Sequence, residues 1–218
     1  MTEKLWKIEN ELAEQGFSTI VGVDEAGRGP LAGDVYAAAV LLPHGVIIDG
    51  LDDSKKLSEK TRERLFDEIT DVATAYAISI AAVAEIAEHN ILGATFLAMN
   101  RAIRDVVAQL AKNEVTDGFL ALIDGNTTRG IVFPSRCVIG GDEKCASIAA
   151  ASILAKVSRD RYMRQMDAIY PQYGFAKHKG YGTPLHRTAI LEHGATPLHR
   201  ELYLRKILAK AENETISE

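Results

Sequence analysis

The chain has 218 residues, 47% of them hydrophobic and 25% charged, enough to bury a core and too apolar for a disordered chain. No apolar run approaches the roughly 20 residues that span a bilayer. The opening residues lack the apolar stretch of a secretory signal, so a cytoplasmic protein is expected. A net charge of −5 argues against a uniformly basic nucleic-acid binder. Yet acids dominate up to residue 135 and bases dominate from 136 to 210, and a locally basic segment can still grip phosphates.

Leu5, Ile8 and Leu12 fall at helical spacing and predict a short opening helix. Thr19–Asp24 is β-branched and apolar and predicts a buried strand, with Ala26-Gly27-Arg28-Gly29-Pro30 as the turn that ends it. A second strand is expected over Asp34–Leu42. Ser58 is a helix N-cap before a charged helix to about Val72. A third strand is expected over Ala73–Val83, a long helix over Asn90–Leu110, and a strand over Phe119–Ile123 closed by Asp124-Gly125-Asn126. The stretch Ile131–Ile139 reads either as edge strand or as loop. Asp142 is expected to start a second long helix that ends before Pro171.

Thr183-Pro184 and Thr196-Pro197 each combine a capping residue with proline at the first helical position, predicting two further helices separated by Gly194. The tail beyond Lys210 is polar and expected to fray. No repeat or linker divides the chain. The expected architecture is one α/β domain over residues 1–218, a mixed sheet flanked by helices, with residues 172–210 as a C-terminal helical extension. Cys137 and Cys145 fit neither a disulfide framework nor a zinc pattern and are expected as reduced thiols. The Asn-X-Thr matches at Asn126 and Asn213 are read as chance, given no secretory route.

Four acids stand at element boundaries: Asp24 and Glu25 after the first strand, Asp124 after a later one, and Asp142 behind Gly140-Gly141. Strand ends are where sites assemble in open α/β sheets. Carboxylate oxygens suit a hard divalent cation such as Mg²⁺ or Mn²⁺. A pair of such ions serves in-line phosphoryl displacement. Each acid also has a plain structural reading. Asp124-Gly125 is a turn pair, Asp142 fits a helix cap, and Asp24-Glu25 fits a solvated strand end. Gly27-Arg28-Gly29 likewise reads as a backbone surface open to a ligand, or as a tight turn with a solvent-facing arginine.

Longer blocks narrow these alternatives. The run from Val21 to Gly33, the stretches Asp53–Ser58 and Ile123–Asn126, Gly141-Asp142 with Ile148–Val157, and His178–Thr183 together resemble the type 2 ribonuclease H family, in the family's order. The resemblance implies an RNase H-like fold and a monomeric enzyme acting on nucleic acid. The substrates it implies are RNA–DNA hybrids and duplex DNA with embedded ribonucleotides. Cleavage would fall 5′ of a ribonucleotide, leaving a 3′-hydroxyl and a 5′-phosphate without a covalent intermediate. It implies two ions held by Asp24, Glu25, Asp124 and Asp142. Gly27, Arg28 and Gly29 would read the RNA-to-DNA junction through the 2′-hydroxyl. Tyr181 would pack on the deoxyribose that follows, and Lys55, Lys56, Lys144 and Lys156 would hold phosphates. Ser147 and Ser152 fit either phosphate contact or close helix packing.

The chain departs from the family after Pro197-Leu198-His199-Arg200, where the family commonly has a short Ser-Phe ending and this chain has Glu201–Lys206, expected to continue as a helix. Asp24 is expected to sit centrally and Glu25 to reach the site from the bend, since adjacent residues on a regular strand face opposite ways. Two rival readings exist. A type 3 ribonuclease H shares the acidic core but carries an extra N-terminal domain, for which too few residues precede the first motif strand. A binding module that has lost catalysis would not be expected to keep all four acids.

Overall fold

The computed structural model describes residues 2–110 and 118–215. Two short helices, α1 (Thr2–Leu5) and α2 (Lys7–Glu14), precede the sheet. The strands are β1 (Thr19–Ala26), β2 (Val35–Leu41), β3 (Ala75–Ala81), β4 (Phe119–Asp124) and β5 (Ser135–Val138). Their spatial order is β3-β2-β1-β4-β5. The first three are antiparallel neighbours, whereas β4 runs parallel to β1 and β5 parallel to β4. The ambiguous stretch after Ile131 thus supplies the edge strand. The sheet is mixed, as expected.

Strand alternation sorts the core into two layers. Val21, Val23, Ala37, Ala39, Ala121 and Ile123 turn to one face and pack on α4 (Val83–Leu110), against Ala98, Met99, Ala102 and Ile103. Ala38 and Val40 turn to the other face and pack on α5 (Ala146–Ile169), against Ala149, Ala150, Ile153 and Leu154. Burying each such leucine or isoleucine contributes roughly 2 kcal/mol before entropy is counted. Helix α5 lies unusually close to β1 because Gly22 has no side chain. A Cβ there would sit 2.1 Å from the Ser147 carbonyl carbon and 2.3 Å from the Ile148 nitrogen.

Helix α3 (Glu59–Val72) begins as predicted, the Ser58 hydroxyl accepting the Thr61 N–H at 3.1 Å. Helix α4 starts earlier than expected and breaks at Asn90 (φ 57°, ψ 174°). The Asn90 carboxamide oxygen accepts the N–H groups of Leu92 and Gly93, so it caps the segment that continues to Leu110. Asp142 does not start a long helix. It lies in a 3-10 turn, Gly141–Glu143, and α5 begins at Ala146 with Cys145 as its cap residue. Ser147 is buried, and the Glu9 carboxylate of α2 accepts both its N–H and its hydroxyl at 3.0 Å, satisfying the first turn of α5 from another helix.

The C-terminal part contains α6 (Phe175–His178), α7 (Pro184–His193) and α8 (Glu201–Thr215). Thr183 caps α7 through the His186 N–H. The helix expected from Thr196-Pro197 does not form there. Those residues make a turn in which the Thr196 hydroxyl and N–H engage His199, and the helix opens at Glu201. Helix α8 continues to Thr215 rather than ending near Lys210, and residues 216–218 lie outside the described residues. No helix of the described residues is long and apolar enough to cross a membrane. Both cysteines are free, Cys145 buried and Cys137 exposed.

Candidate active site

The register places residue 23 of β1 beside residue 123 of β4, so the next positions, Asp24 and Asp124, are neighbours at the ends of parallel strands. Both fall on the sheet face covered by α5, the face to which Gly22 and Leu122 also belong. The turn preceding α5 brings Asp142 to the same face. Ligand atoms of Asp24, Asp124 and Asp142 all lie within 4.8 Å of one another. Three acids distant in sequence therefore converge because two adjacent strands and one helix start share a face.

Two of the three are anchored by backbone donors. Asp24 Oδ1 accepts the Glu25 N–H at 2.7 Å, and Asp124 Oδ1 accepts the Gly141 N–H at 2.7 Å. Burial pushes Asp24 well above the usual carboxylate range, and the charges of Glu25, Asp124 and Asp142 push the same way. Asp124 is also raised, by burial first and then by Asp142, against the opposing Gly141 hydrogen bond. Crowded, partly buried carboxylates with free oxygens are a donor set suited to a hard divalent cation, so these residues fit Mg²⁺ or Mn²⁺.

Glu25 is placed differently from the expectation. Strand β1 does not end between the two acids but continues to Ala26, with Glu25 paired to Ala37. Its carboxylate is not among the three that lie within 4.8 Å of one another. Glu25 Oε1 instead accepts from Arg28 Nη1 at 3.2 Å. Burial raises Glu25, Arg28 lowers it, and the Asp124 charge raises it again, so it remains electrostatically tied to the cluster.

Of the four predicted phosphate lysines, one reaches the acids. Lys55 Nζ lies 2.8 Å from Asp142 Oδ2 and 3.9 Å from Asp53 Oδ1. Its loop is held by the Asp53 carboxylate, which accepts the Lys55 N–H, and by a 2.7 Å hydrogen bond between the buried Ser152 and Ser54 hydroxyls. Ser152 thus links α5 to that loop. Lys56 pairs with Glu143 at 2.9 Å, and the exposed Lys144 donates to the Ile139 carbonyl. Lys156 is tied to buried Asp160 at 2.7 Å.

The Gly27-Arg28-Gly29 turn lies beside Tyr181. A Cβ on Gly29 would be 3.6 Å from the Tyr181 ring, and that tyrosine is 46% exposed. Gly27 (φ 102°) tolerates no side chain, because a Cβ would sit 2.1 Å from Arg159 Nε. The backbone N–H groups of Arg28 and Gly29 meet no acceptor among the described residues, so they are free to donate to a ligand.

The basic segment is used largely inside the protein. Arg161 and Arg164 pair with Glu63, and Arg164 also pairs with Glu59. Arg159 and Arg200 are buried and bond backbone carbonyls. Three of the late histidines pack: His178, His186 and His199 cluster with Tyr173 and Phe175. Arg159 and Arg200 are the residues sequence reasoning missed. The only signal for Arg159 is an arginine within the run that buries α5.

The chain is similar to several known proteins. The profile of the family described as Ribonuclease HII matches residues 21–206. The chain is 47% identical over 206 residues to a protein named Ribonuclease HII from Caldicellulosiruptor saccharolyticus, covering 94% of this chain and 97% of the relative. It is 51% identical over 207 residues to the protein of that name from Shewanella baltica, covering 91% and 95%. Among solved structures it is similar to the ribonuclease H2 of Pyrococcus horikoshii, with TM-score 0.68 and 23% identity over 88% of this chain and 98% of that one. It is also similar to Bst-RNase HIII in complex with Mn²⁺, with TM-score 0.69 and 18% identity over 93% and 73%. These two likenesses show an RNase H-like fold.

Proposed function

The chain belongs to the ribonuclease HII family, a metal-dependent type 2 ribonuclease H, and from that premise we propose that it hydrolyses the phosphodiester on the 5′ side of ribonucleotides. The substrates are RNA–DNA hybrids and single ribonucleotides embedded in duplex DNA, and the products carry a 3′-hydroxyl and a 5′-phosphate. The observation that carries this reading is the convergence of Asp24, Asp124 and Asp142 within 4.8 Å.

Asp24, Asp124 and Asp142 would hold Mg²⁺ or Mn²⁺, with Glu25 completing the set from the adjoining strand position. When bound, a pair of such ions activates water and neutralises charge developing on the phosphate. Lys55, already at the cluster edge, draws the phosphate toward the acids, and Lys56 and Lys144 supply outer positive charge. Lys156, tied to Asp160, keeps a place in the set only if that pair opens. The free N–H groups of Arg28 and Gly29, with Gly27 shaping the turn, receive the ribose 2′-hydroxyl. The exposed Tyr181 ring packs against the sugar that follows. We read residues 1–218 as one catalytic domain with residues 172–210 as its substrate-binding extension, acting as a cytoplasmic monomer.

The test is cleavage of a DNA duplex containing one ribonucleotide, with the product ends mapped. Incision 5′ of the ribonucleotide supports the reading. Good cutting of a long hybrid without any cut in that duplex would instead favour type 3 specificity.

A further inference from the structure

Arg200 is 2% exposed and makes no ion pair among the described residues. Its guanidinium is spent on the carbonyls of a single loop. Nη2 donates to Gly27 O and Gly33 O at 2.6 Å, Nη1 to Arg28 O and Pro30 O at 2.9 Å, and Nε to Gly33 O at 2.9 Å. The backbone around it does the same: Arg200 N–H donates to Leu31 O, and Gly33 N–H donates to Leu198 O, each at 2.8 Å. The planar fork of arginine suits several fixed acceptors at once, which an ammonium does not reproduce.

The direction of these bonds matters. They draw the carbonyls of residues 27, 28, 30 and 33 inward toward the C-terminal segment. The peptide N–H groups of Arg28 and Gly29 are left without acceptors. A second buried guanidinium, Arg159, extends the arrangement. It donates to Ala32 O at 3.0 Å and Asp34 O at 3.1 Å in the same loop, and to Lys179 O at 2.9 Å, two residues before Tyr181. Leu31 N–H donates to Gly180 O at 2.8 Å. The turn carrying Arg28 and the segment carrying Tyr181 are therefore fixed to one another through a shared scaffold.

We propose that Arg200 is a positioning residue for ribonucleotide recognition: by gathering the carbonyls of the Gly27–Gly33 loop, it fixes the outward N–H groups of that loop in register with Tyr181. This rests on the reading of the loop as the ribonucleotide reader. A loop held in this way discriminates a single ribonucleotide, where one 2′-hydroxyl must be met, more strictly than a long hybrid that offers many registers. A loosened loop loses the first activity before the second, because a displacement near 1 Å at a positioned group already has large rate effects.

The experiment uses the full chain with Arg200→Lys and the milder Tyr203→Phe, which removes a hydroxyl donating to Arg28 O at 3.3 Å. Steady-state cleavage is measured in Mn²⁺ on the single-ribonucleotide duplex and on a long RNA–DNA hybrid, with Mn²⁺ binding followed by calorimetry. The expected result for Arg200→Lys is a fall of about tenfold or more in the ratio of single-ribonucleotide to hybrid kcat/KM. Mn²⁺ affinity stays within about twofold, because no carboxylate of the cluster is touched. Tyr203→Phe moves the ratio the same way by less. An unchanged ratio in both variants overturns the proposal, as does equal loss on both substrates. Should Arg200→Lys not fold, Tyr203→Phe decides alone. Gly29→Pro, which removes one of the outward N–H groups, and Tyr181→Ala run alongside. If they leave the ratio unchanged, the loop does not read ribonucleotides and the underlying reading fails. If they change it while the Arg200 and Tyr203 variants do not, only the positioning role fails.

Discussion

The ammonium of Lys55 lies 2.8 Å from Oδ2 of Asp142, whereas the other two cluster carboxylates, Asp24 and Asp124, are held by the backbone N–H groups of Glu25 and Gly141. The hydrogen bond to Asp142 pushes Lys55 above the usual lysine range, with burial opposing. A cation entering the cluster thus meets a carboxylate already shared with a lysine. Replacing Lys55 with Met removes a competing positive charge, and Mn²⁺ should bind roughly fivefold more tightly, about 1 kcal/mol. Cleavage should nevertheless weaken through a higher KM, because the phosphate loses its nearest cation. Calorimetry of Mn²⁺ binding and steady-state kinetics on a hybrid check the two halves separately.

The crowded acids make metal-free stability pH-dependent. Asp24, Glu25 and Asp124 are all raised, each by burial first. A carboxylate raised by folding binds its proton more tightly in the folded state, so it costs stability above the folded pKa and that cost fades as pH falls. Metal-free protein should therefore resist urea better near pH 5.5 than near pH 7.5 as far as these groups decide. Saturating Mg²⁺ should raise stability at pH 7.5 and flatten the trend. Urea midpoints in EDTA and in Mg²⁺ at the two pH values measure this.

The histidine cluster has the opposite sign. His186 Nδ1 meets Tyr181 O at 3.0 Å, so that nitrogen donates, and His186 Nε2 must accept from His199 Nε2 at 3.0 Å. His199 Nδ1 then accepts from the Thr196 N–H at 2.9 Å. This wiring holds only with neutral rings. Burial first, with the His178 and His199 charges, lowers His186 to about 4 against the opposing Tyr181 bond. Its stabilising contribution is complete above the unfolded value and is lost as pH falls from 6.5 toward 4, a loss of at most about 3 kcal/mol. Ring NMR should find His186 neutral at pH 5, and amide protection over residues 184–200 should fall across that range.

Gly22→Ala should be among the most damaging single-methyl changes. The added Cβ would enter the backbone of α5 at 2.1 Å, and neither strand nor helix can yield without moving Asp24 or Asp142. A loss of about 3 kcal/mol is expected. Mn²⁺ affinity should fall with it, and thermal denaturation with calorimetry checks both.

Parts of this structure were legible in the sequence for clear reasons. The β-branched run into Asp24, the Ser58 and Thr183 caps and the period of the Asn90–Leu110 helix are local signals. Asp24, Asp124 and Asp142 were found by their place at element boundaries and by family resemblance. What failed was set by tertiary contact. Strand β1 runs past its acids to Ala26 because β2 continues to pair with it. Asp142 sits in a 3-10 turn because Glu9, distant in sequence, satisfies the start of α5 instead. Thr196-Pro197 carries a helix-start pattern, but His199 engages Thr196 and the helix begins at Glu201. Arg159 and Arg200 carry no local signal of the partners they meet, and only the fold shows them buried among carbonyls.

The most direct test of the metal site is Asp24→Asn, assayed for Mn²⁺ binding by calorimetry and for cleavage of an RNA–DNA hybrid. Cleavage should be lost, Mn²⁺ binding should weaken by about tenfold or more, and the metal-free protein should become no less stable, since a repelled buried charge is gone. Cleavage persisting near the unmodified rate, with Mn²⁺ affinity unchanged, would contradict the assignment of Asp24, Asp124 and Asp142 as the divalent-cation site.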